Sequence, residues 1–319
     1  MRTIADIDQE LTVAKKQLNI SIAALEKHPD DFTYQMQLDR DEKHYQYLVS
    51  EKIKRQNARQ KEIIQLHLEG PNVKRGTIPL AALADLSYTF SGSLTESALQ
   101  LQYGKERVTC KERGFVNDQL NLCLERIEVG STRLFVTGST NPDLFGQSLM
   151  QQSISGMYDI LETDNAEELL DKSLNSSKKA LRETQKWLKT LSANRMECEL
   201  IWDTTDLELR KWDGTLPRIG QMAQSLGQIQ TTQTELVPMT GELITISLRG
   251  RGFIDLDSGE KQLVHINIAN SQREELKQLH VGNSIRIQVR KTNVTNTVTR
   301  ITRSRFDLEK IDNLSSKAN

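Results

Sequence analysis

Apolar and polar positions follow two different periods along this chain, and the change of period divides it into parts. Near the amino terminus the apolar residues recur every third or fourth position, as on one stripe of an α-helix: Ile4, Ile7, Leu11, Ala14, Leu18, Ile22 and Leu25. A looser stripe occupies residues 32–61. The pattern predicts an antiparallel, coiled-coil-like helical hairpin over residues 1–62.

The middle of the chain mixes both periods. Apolar residues alternate with polar ones, as in half-buried strands, in residues 64–68, 120–124, 132–136 and 197–202. Helical spacing occupies residues 80–86, 147–161, 166–191 and 217–229. We therefore predict a central α+β domain over residues 63–232 with a small antiparallel sheet. The Thr/Gln-rich stretch 230–234 is predicted to be a linker.

The carboxyl-terminal part has the period of two that is typical of strands. Between residues 241 and 305 the pattern predicts strand, strand, strand, short helix, strand and strand, and each strand has an apolar and a polar face. This order suits a small OB-like β-barrel over residues 238–312. Residues 313–319 are predicted to be a disordered tail. The fold class of the whole chain is α+β.

The composition argues against some classes of function but does not identify one. The chain has 319 residues and a net charge of -1, so we expect two or three domains and no global attraction to nucleic acid or membrane. Residues 238–319 nevertheless have more Lys and Arg than Asp and Glu, whereas the central region has the reverse. No apolar run approaches the length of a membrane helix, and the amino terminus lacks the apolar core of a secretory signal. We predict a cytoplasmic protein without membrane contact.

The cysteines favour a reducing compartment. Three cysteines, Cys110, Cys123 and Cys198, are too few and too scattered for a disulfide framework or a thiolate metal site. Because Cys123 and Cys198 lie in apolar, strand-like segments, we predict that both are buried, reduced thiols.

The barrel segment resembles a family. Gly-Arg-Gly-Phe-Ile at 250–254, Val-His-Ile at 264–266 and the run at 279–287 are similar to cold-shock and ribosomal RNA-binding barrel repeats. In that family the second and third strands form the RNA-binding face. The chain departs from the pattern at Arg251 and Leu263, where the family has aromatic residues.

The resemblance implies a nucleic-acid-binding set, which comprises Arg249, Arg251, Phe253, His265, Arg286, Arg290 and Lys291. Phe253 would stack on a base, and arginine can stack and also pair with phosphate. Two alternatives stay open: the barrel packs on the protein or binds another polypeptide, and His265 is an ordinary solvated strand residue.

The chain has no recognisable catalytic motif. It contains no Gly-x-Ser-x-Gly elbow, no His-Glu-x-x-His and no dinucleotide fingerprint. We therefore predict no catalytic residues, no metal and no cofactor, and favour a non-catalytic protein. A weaker alternative is a metal-dependent enzyme built on Glu199, Asp203 and Asp206, since carboxylates beyond a strand end can hold a divalent ion. A catalytic pair of His67 and Glu69 on one strand face is weaker again.

Taken together, these patterns predict a nucleic-acid-binding or regulatory subunit. Its barrel would contact single-stranded RNA or DNA, and residues 3–61 would mediate contact with a second copy or a partner protein. The alternative from another class is a structural or scaffold protein with protein–protein contacts only.

Overall fold

The computed structural model describes most of the chain, namely residues 4–27, 31–58, 61–73, 76–105, 107–128, 132–140, 148–203, 209–248, 252–258, 263–277 and 279–315. The chain forms two compact units: residues 1–61 with 203–209, and residues 62–202 with 210–319. Helices and strands are mixed. Among the described residues, no helix is both long and apolar enough to cross a bilayer.

The first unit contains helices α1 (Ile4–Lys27) and α2 (Phe32–Ala58). Ile7 and Ala14 of the predicted stripe are buried on α1, as is Leu48 on α2, whereas the stripe residue Ile22 is exposed. A buried hydrogen bond joins the helices, in which Ser21 Oγ donates to Asp41 Oδ2 over 2.7 Å. The two helices are present, while their arrangement as an antiparallel hairpin stays a prediction.

The central part of the second unit is a five-stranded sheet with helices. Its elements are β1 (Lys61–Glu69), α3 (Leu80–Tyr103), α4 (Cys110–Leu120), β2 (Cys123–Glu128), β3 (Thr132–Ser139), α5 (Leu149–Leu161), α6 (Ala166–Ser173), α7 (Lys178–Ala193), β4 (Glu197–Asp203), β5 (Leu209–Gly214) and α8 (Leu216–Gly227). The strand order is β2-β3-β1-β4-β5. The pairs β1–β4 and β2–β3 are antiparallel.

Helices and strands enclose one hydrophobic core. Alternate residues of β1, such as Ile64 and Leu68, are buried against it. Trp187 on α7 and Trp212 on β5 are also buried, with ring centroids 6.0 Å apart. Both tryptophans are packing residues, and their burial anchors α7 and β5 to the same core.

Two predictions for the central domain are wrong. Residues 166–191 form two helices instead of one, because Ser177 begins a new helix by accepting a hydrogen bond from the Ala180 backbone N–H over 3.0 Å. Cys123 is exposed, although Cys198 is buried as predicted. Cys123 lies on β2, an edge strand whose residues are mostly exposed, so apolar composition alone did not indicate burial.

The carboxyl-terminal part is a closed five-stranded barrel. It contains β6 (Ile229–Ser247), β7 (Gly252–Asp257), β8 (Leu263–Ile268), the short helix α9 (Arg273–Leu276), β9 (Ser284–Asn296) and β10 (Thr302–Ser315). The strands close in the order β10-β8-β7-β6-β9, with β10 parallel to β8 and antiparallel to β9. The predicted order of five strands and one helix is confirmed.

The barrel extends beyond its predicted limits. Residues 230–234 are not a linker, because they belong to the long strand β6, in which Ile229 pairs with Asn296 of β9. At the other end β10 continues to Ser315. Residues 316–319 of the predicted tail lie outside the described residues.

Candidate nucleic-acid interface

The outer surface of β7 and β8 carries two residues that the sequence analysis assigned to a binding face. Ile254 and Leu256 on β7 are fully buried in the barrel, so the alternate residues Phe253 and Asp255 lie on the outside. β8 runs antiparallel to β7, with His265 directly opposite Asp255. The strand geometry therefore brings Phe253 and His265 to one outer face.

Phe253 and His265 form an aromatic platform. Their ring centroids are 4.5 Å apart, with 38° between the ring planes. His265 Nδ1 donates to Asp255 Oδ1 over 2.9 Å, since an ionised carboxylate only accepts. The His265 side chain remains 56% exposed. A fixed, half-exposed pair of rings offers a surface on which a base can stack.

Leu263 extends the same face of β8 beyond the platform. It lies opposite Asp257 and is 59% exposed. Its position, two residues before His265, places it on the outer side of the strand. This is where the resembled family has an aromatic ring, so this chain offers apolar contact there without a stacking plane.

The predicted nucleic-acid-binding set also includes two arginines that precede β7 in the sequence. Arg249 and Arg251 lie between β6 and β7, outside the described residues. Their role stays a prediction.

The three cations of β9 lie elsewhere on the barrel. β9 is bordered by β6 and β10, so β10 separates it from β8. Arg286 is exposed, and Lys291 Nζ lies 3.4 Å from Glu235 Oε1 on β6. The structure therefore does not bring Arg286, Arg290 and Lys291 together with the aromatic platform.

Arg290 contacts the central domain instead. Its Nη1 donates to the Gly104 backbone carbonyl over 2.7 Å, just beyond α3. Its other terminal nitrogen pairs with Glu309 on β10. Strand alternation places Arg290 on an outer face, but it cannot show that another part of the chain packs there.

A second arginine joins the barrel to the central domain, and sequence reasoning missed it. Arg305 Nη1 donates to the carbonyls of Leu174 and Ser176, each over 2.9 Å. Its Nε donates to Asp307 Oδ2 over 2.7 Å, and both side chains are buried. Burial raises the pKa of Asp307, while the Arg305 guanidinium acts to lower it. We call these contacts, with Arg290–Gly104, the seam.

Three residues of the enzyme alternatives, His67, Glu69 and Glu199, belong to an ion-pair network. His67 Nδ1 lies 3.1 Å from Glu199 Oε2, and Lys211 Nζ lies 2.5 Å from the other Glu199 oxygen. The Lys211 contact is the main reason that the pKa of Glu199 is lowered. The described part of the chain contains no group of three His, Cys, Asp or Glu residues that could hold a metal ion. Asp206 lies outside the described residues.

Comparison with known proteins shows a weak structural likeness. No protein-family model matches the chain, and no curated protein matches it. Among solved structures, a mitochondrial single-stranded DNA binding protein from S. cerevisiae is similar at 14% sequence identity and a TM-score of 0.23. The likeness covers 27% of this chain and 99% of that chain. A likeness of this size carries no argument about function.

Proposed function

We propose that this protein binds single-stranded nucleic acid across the outer face of β7 and β8. The observation that carries the proposal is the aromatic platform, in which the ring centroids of Phe253 and His265 lie 4.5 Å apart on the outer face of β7 and β8. In barrels with this strand order, the second and third strands and the loop between the first two bind oligonucleotides. Here those elements are β7, β8 and the segment that contains Arg249 and Arg251.

The mechanism combines stacking with charge neutralisation. A base stacks on the platform, whose geometry is held by the hydrogen bond from His265 to Asp255. Stacking tolerates any base, because every base has a π-face. Arg249 and Arg251 neutralise neighbouring phosphates. The result is binding of RNA or DNA without strong sequence preference and without catalysis.

The proposal predicts modest, salt-sensitive binding of a short oligonucleotide. An oligothymidylate of about 8 nucleotides lies within the range that one such barrel occupies. It should bind at about 50 mM salt and weaken at about 200 mM, with a slope near -1.4 for two neutralised phosphates. Fluorescence anisotropy measures both quantities. An Arg249→Ala/Arg251→Ala variant should flatten the slope, and absence of binding at about 50 mM salt would contradict the proposal.

We also propose that α1 and α2 mediate association with a second copy of the chain. Exposed apolar residues lie seven apart on α1, at Val13 and Ile20, and four apart on α2, at Phe32 and Met36. Such spacing places each pair on one helix face. A Val13→Glu/Ile20→Glu variant should then sediment as a smaller species than the wild-type protein. Equal sedimentation of the two would count against this surface.

A scaffold function remains the alternative from another class. The exposed apolar residues of α1 and α2 favour protein contact in general. Under this alternative the platform and its arginines serve no nucleic acid, so their substitution changes no nucleic-acid property.

A further inference from the structure

The central domain has a cleft of about 330 Å³ that is rich in positive charge. Among the described residues, its cationic lining consists of Lys105, Arg107, Lys178 and Lys179. The described lining also includes the carboxylate of Glu96, which accepts a hydrogen bond from Arg113 Nη2 over 2.6 Å. We call this feature the cationic cleft. Its charge suits a ligand with several negative groups.

The local structure adds to this charge. Lys178 is the first residue of α7, so the positive end of the helix dipole lies at the cleft. Lys105 Nζ donates to Glu112 over 2.5 Å, which fixes one wall of the cleft beside α4. Arg107 and Lys178 are exposed. The helix end alone would not define a site, whereas several cations around one cavity do favour an anion there.

A second, smaller cleft lies between the end of α3 and the barrel. Gln100 at the end of α3 lines both clefts. The smaller cleft also includes Gly252, which directly precedes Phe253, and Asn267, which pairs with Phe253 across β7 and β8. Gln100 therefore borders both the cationic cleft and a cleft that contains strand neighbours of Phe253.

The seam joins the central domain to the barrel at the smaller cleft. Arg290 bonds to Gly104, which lines the smaller cleft and directly precedes Lys105. Arg305, which also lines it, bonds to Leu174 and Ser176 just before α7. The aromatic platform and the cationic cleft belong to the same compact unit. Hydrogen bonds of the seam thus join the segments beside the cationic cleft to the barrel.

We propose that the cationic cleft binds the backbone phosphates of a single strand whose bases lie on the aromatic platform. This inference rests on the function proposed above and extends it from the barrel to the central domain. The platform supplies base stacking, while Arg107, Lys178 and their neighbours supply phosphate contacts farther along the same strand. A strand that is too short to extend beyond the barrel gains no affinity from the cleft.

The test compares two charge-reversal variants on two oligothymidylates. Arg107→Glu/Lys178→Glu alters the cleft, and Arg182→Glu/Lys189→Glu is the matched control, because both control residues are exposed on α7 and do not line the cleft. The probes have about 8 nucleotides and about 24 nucleotides, the longer exceeding what one barrel occupies. A glutamate in the first turn of α7 is favourable to the helix, so the cleft variant should fold normally.

We expect the cleft variant to bind the longer probe about tenfold more weakly than the wild-type protein. Its salt slope for that probe should be shallower by at least about 1.4, which is two phosphate contacts. Binding of the shorter probe should not change, and the control should match the wild type with both probes. Equal binding of the longer probe by the cleft variant and the control would overturn the inference while leaving the proposed function intact. Failure of the wild type to bind either probe would overturn both.

Discussion

Replacing Arg305 with alanine should lower the free energy of unfolding by about 3–5 kcal/mol. The substitution leaves the Asp307 carboxylate buried without its main partner and removes the donor from two backbone carbonyls. In the wild-type protein the Arg305 and Asp307 side chains are 9% and 7% exposed, so water cannot replace these contacts. Urea unfolding measures the loss.

The adjacent outward residue of β10 provides a matched control. Arg303 also reaches the central domain, at Glu167 and Asp171, but its side chain is 42% exposed. Arg303→Ala should therefore cost less than about 1 kcal/mol. The double variant Arg305→Leu/Asp307→Leu should lose less than Arg305→Ala, since it leaves no buried charge unpaired. Equal stability of Arg305→Ala and Arg303→Ala would show that the seam does not hold the barrel in place.

The loss of stability in Arg305→Ala should also depend on pH. Burial already raises the pKa of Asp307 in the wild-type protein, and removing Arg305 removes a cause that lowers it. The folded variant then binds a proton more readily than the unfolded chain does, so lowering the pH stabilises the folded state. The difference in the free energy of unfolding between the variant and the wild-type protein should therefore become smaller at acid pH, as Asp307 becomes neutral.

Replacing both Phe253 and His265 with alanine should nearly abolish binding of a short oligonucleotide. Each base that stacks on an aromatic side chain gains about 1–3 kcal/mol, or roughly 5- to 150-fold in affinity. Phe253→Ala alone should cause a large part of the loss of affinity, and Phe253→Trp should restore stacking. Anisotropy titrations at constant salt measure each effect.

An exposed phenylalanine elsewhere controls for general loss of aromatic surface. Phe115 lies on α4 and is 48% exposed, so Phe115→Ala should bind like the wild-type protein. If Phe253→Ala and Phe115→Ala bind equally well, base stacking at the platform plays no part in binding.

The barrel could be predicted from the sequence because its local signals agree. Ile254 and Leu256 alternate with polar residues on β7, and Ile266 alternates on β8, so both the strands and their inner faces were evident. Strand pairing then brings Phe253 and His265 together, as the resemblance implied. The strand boundaries were less evident, because the polar residues 230–234 lie in β6 and pair with β9.

The seam could not be predicted, because it depends on contacts between distant segments. Arg305 and Arg290 look like ordinary outward residues of barrel strands, and nothing in the spacing indicates their partners Leu174 or Gly104. The same limit applies to Cys123, whose apolar segment lies on an exposed edge strand. Alternation shows which side of a strand faces inward, but not what covers the other side.

The cationic cleft could not be predicted from the sequence either, for the same reason. Arg107 and Lys178 are far apart in sequence and lie in a region whose overall charge is negative. Composition therefore favoured the carboxyl-terminal part as the source of positive charge. Folding instead collects several cations of the acidic region at the start of α7.

Photo-crosslinking tests the central claim most directly. The full-length protein is irradiated with a short 4-thiothymidine oligonucleotide, and the crosslinked peptides are identified by mass spectrometry. The account predicts crosslinks in residues 252–268, concentrated at Phe253 and His265, and their loss in Phe253→Ala/His265→Ala. Crosslinks that are absent from 252–268 and confined to residues 3–61 or to the His67–Glu199 face of the sheet would contradict it.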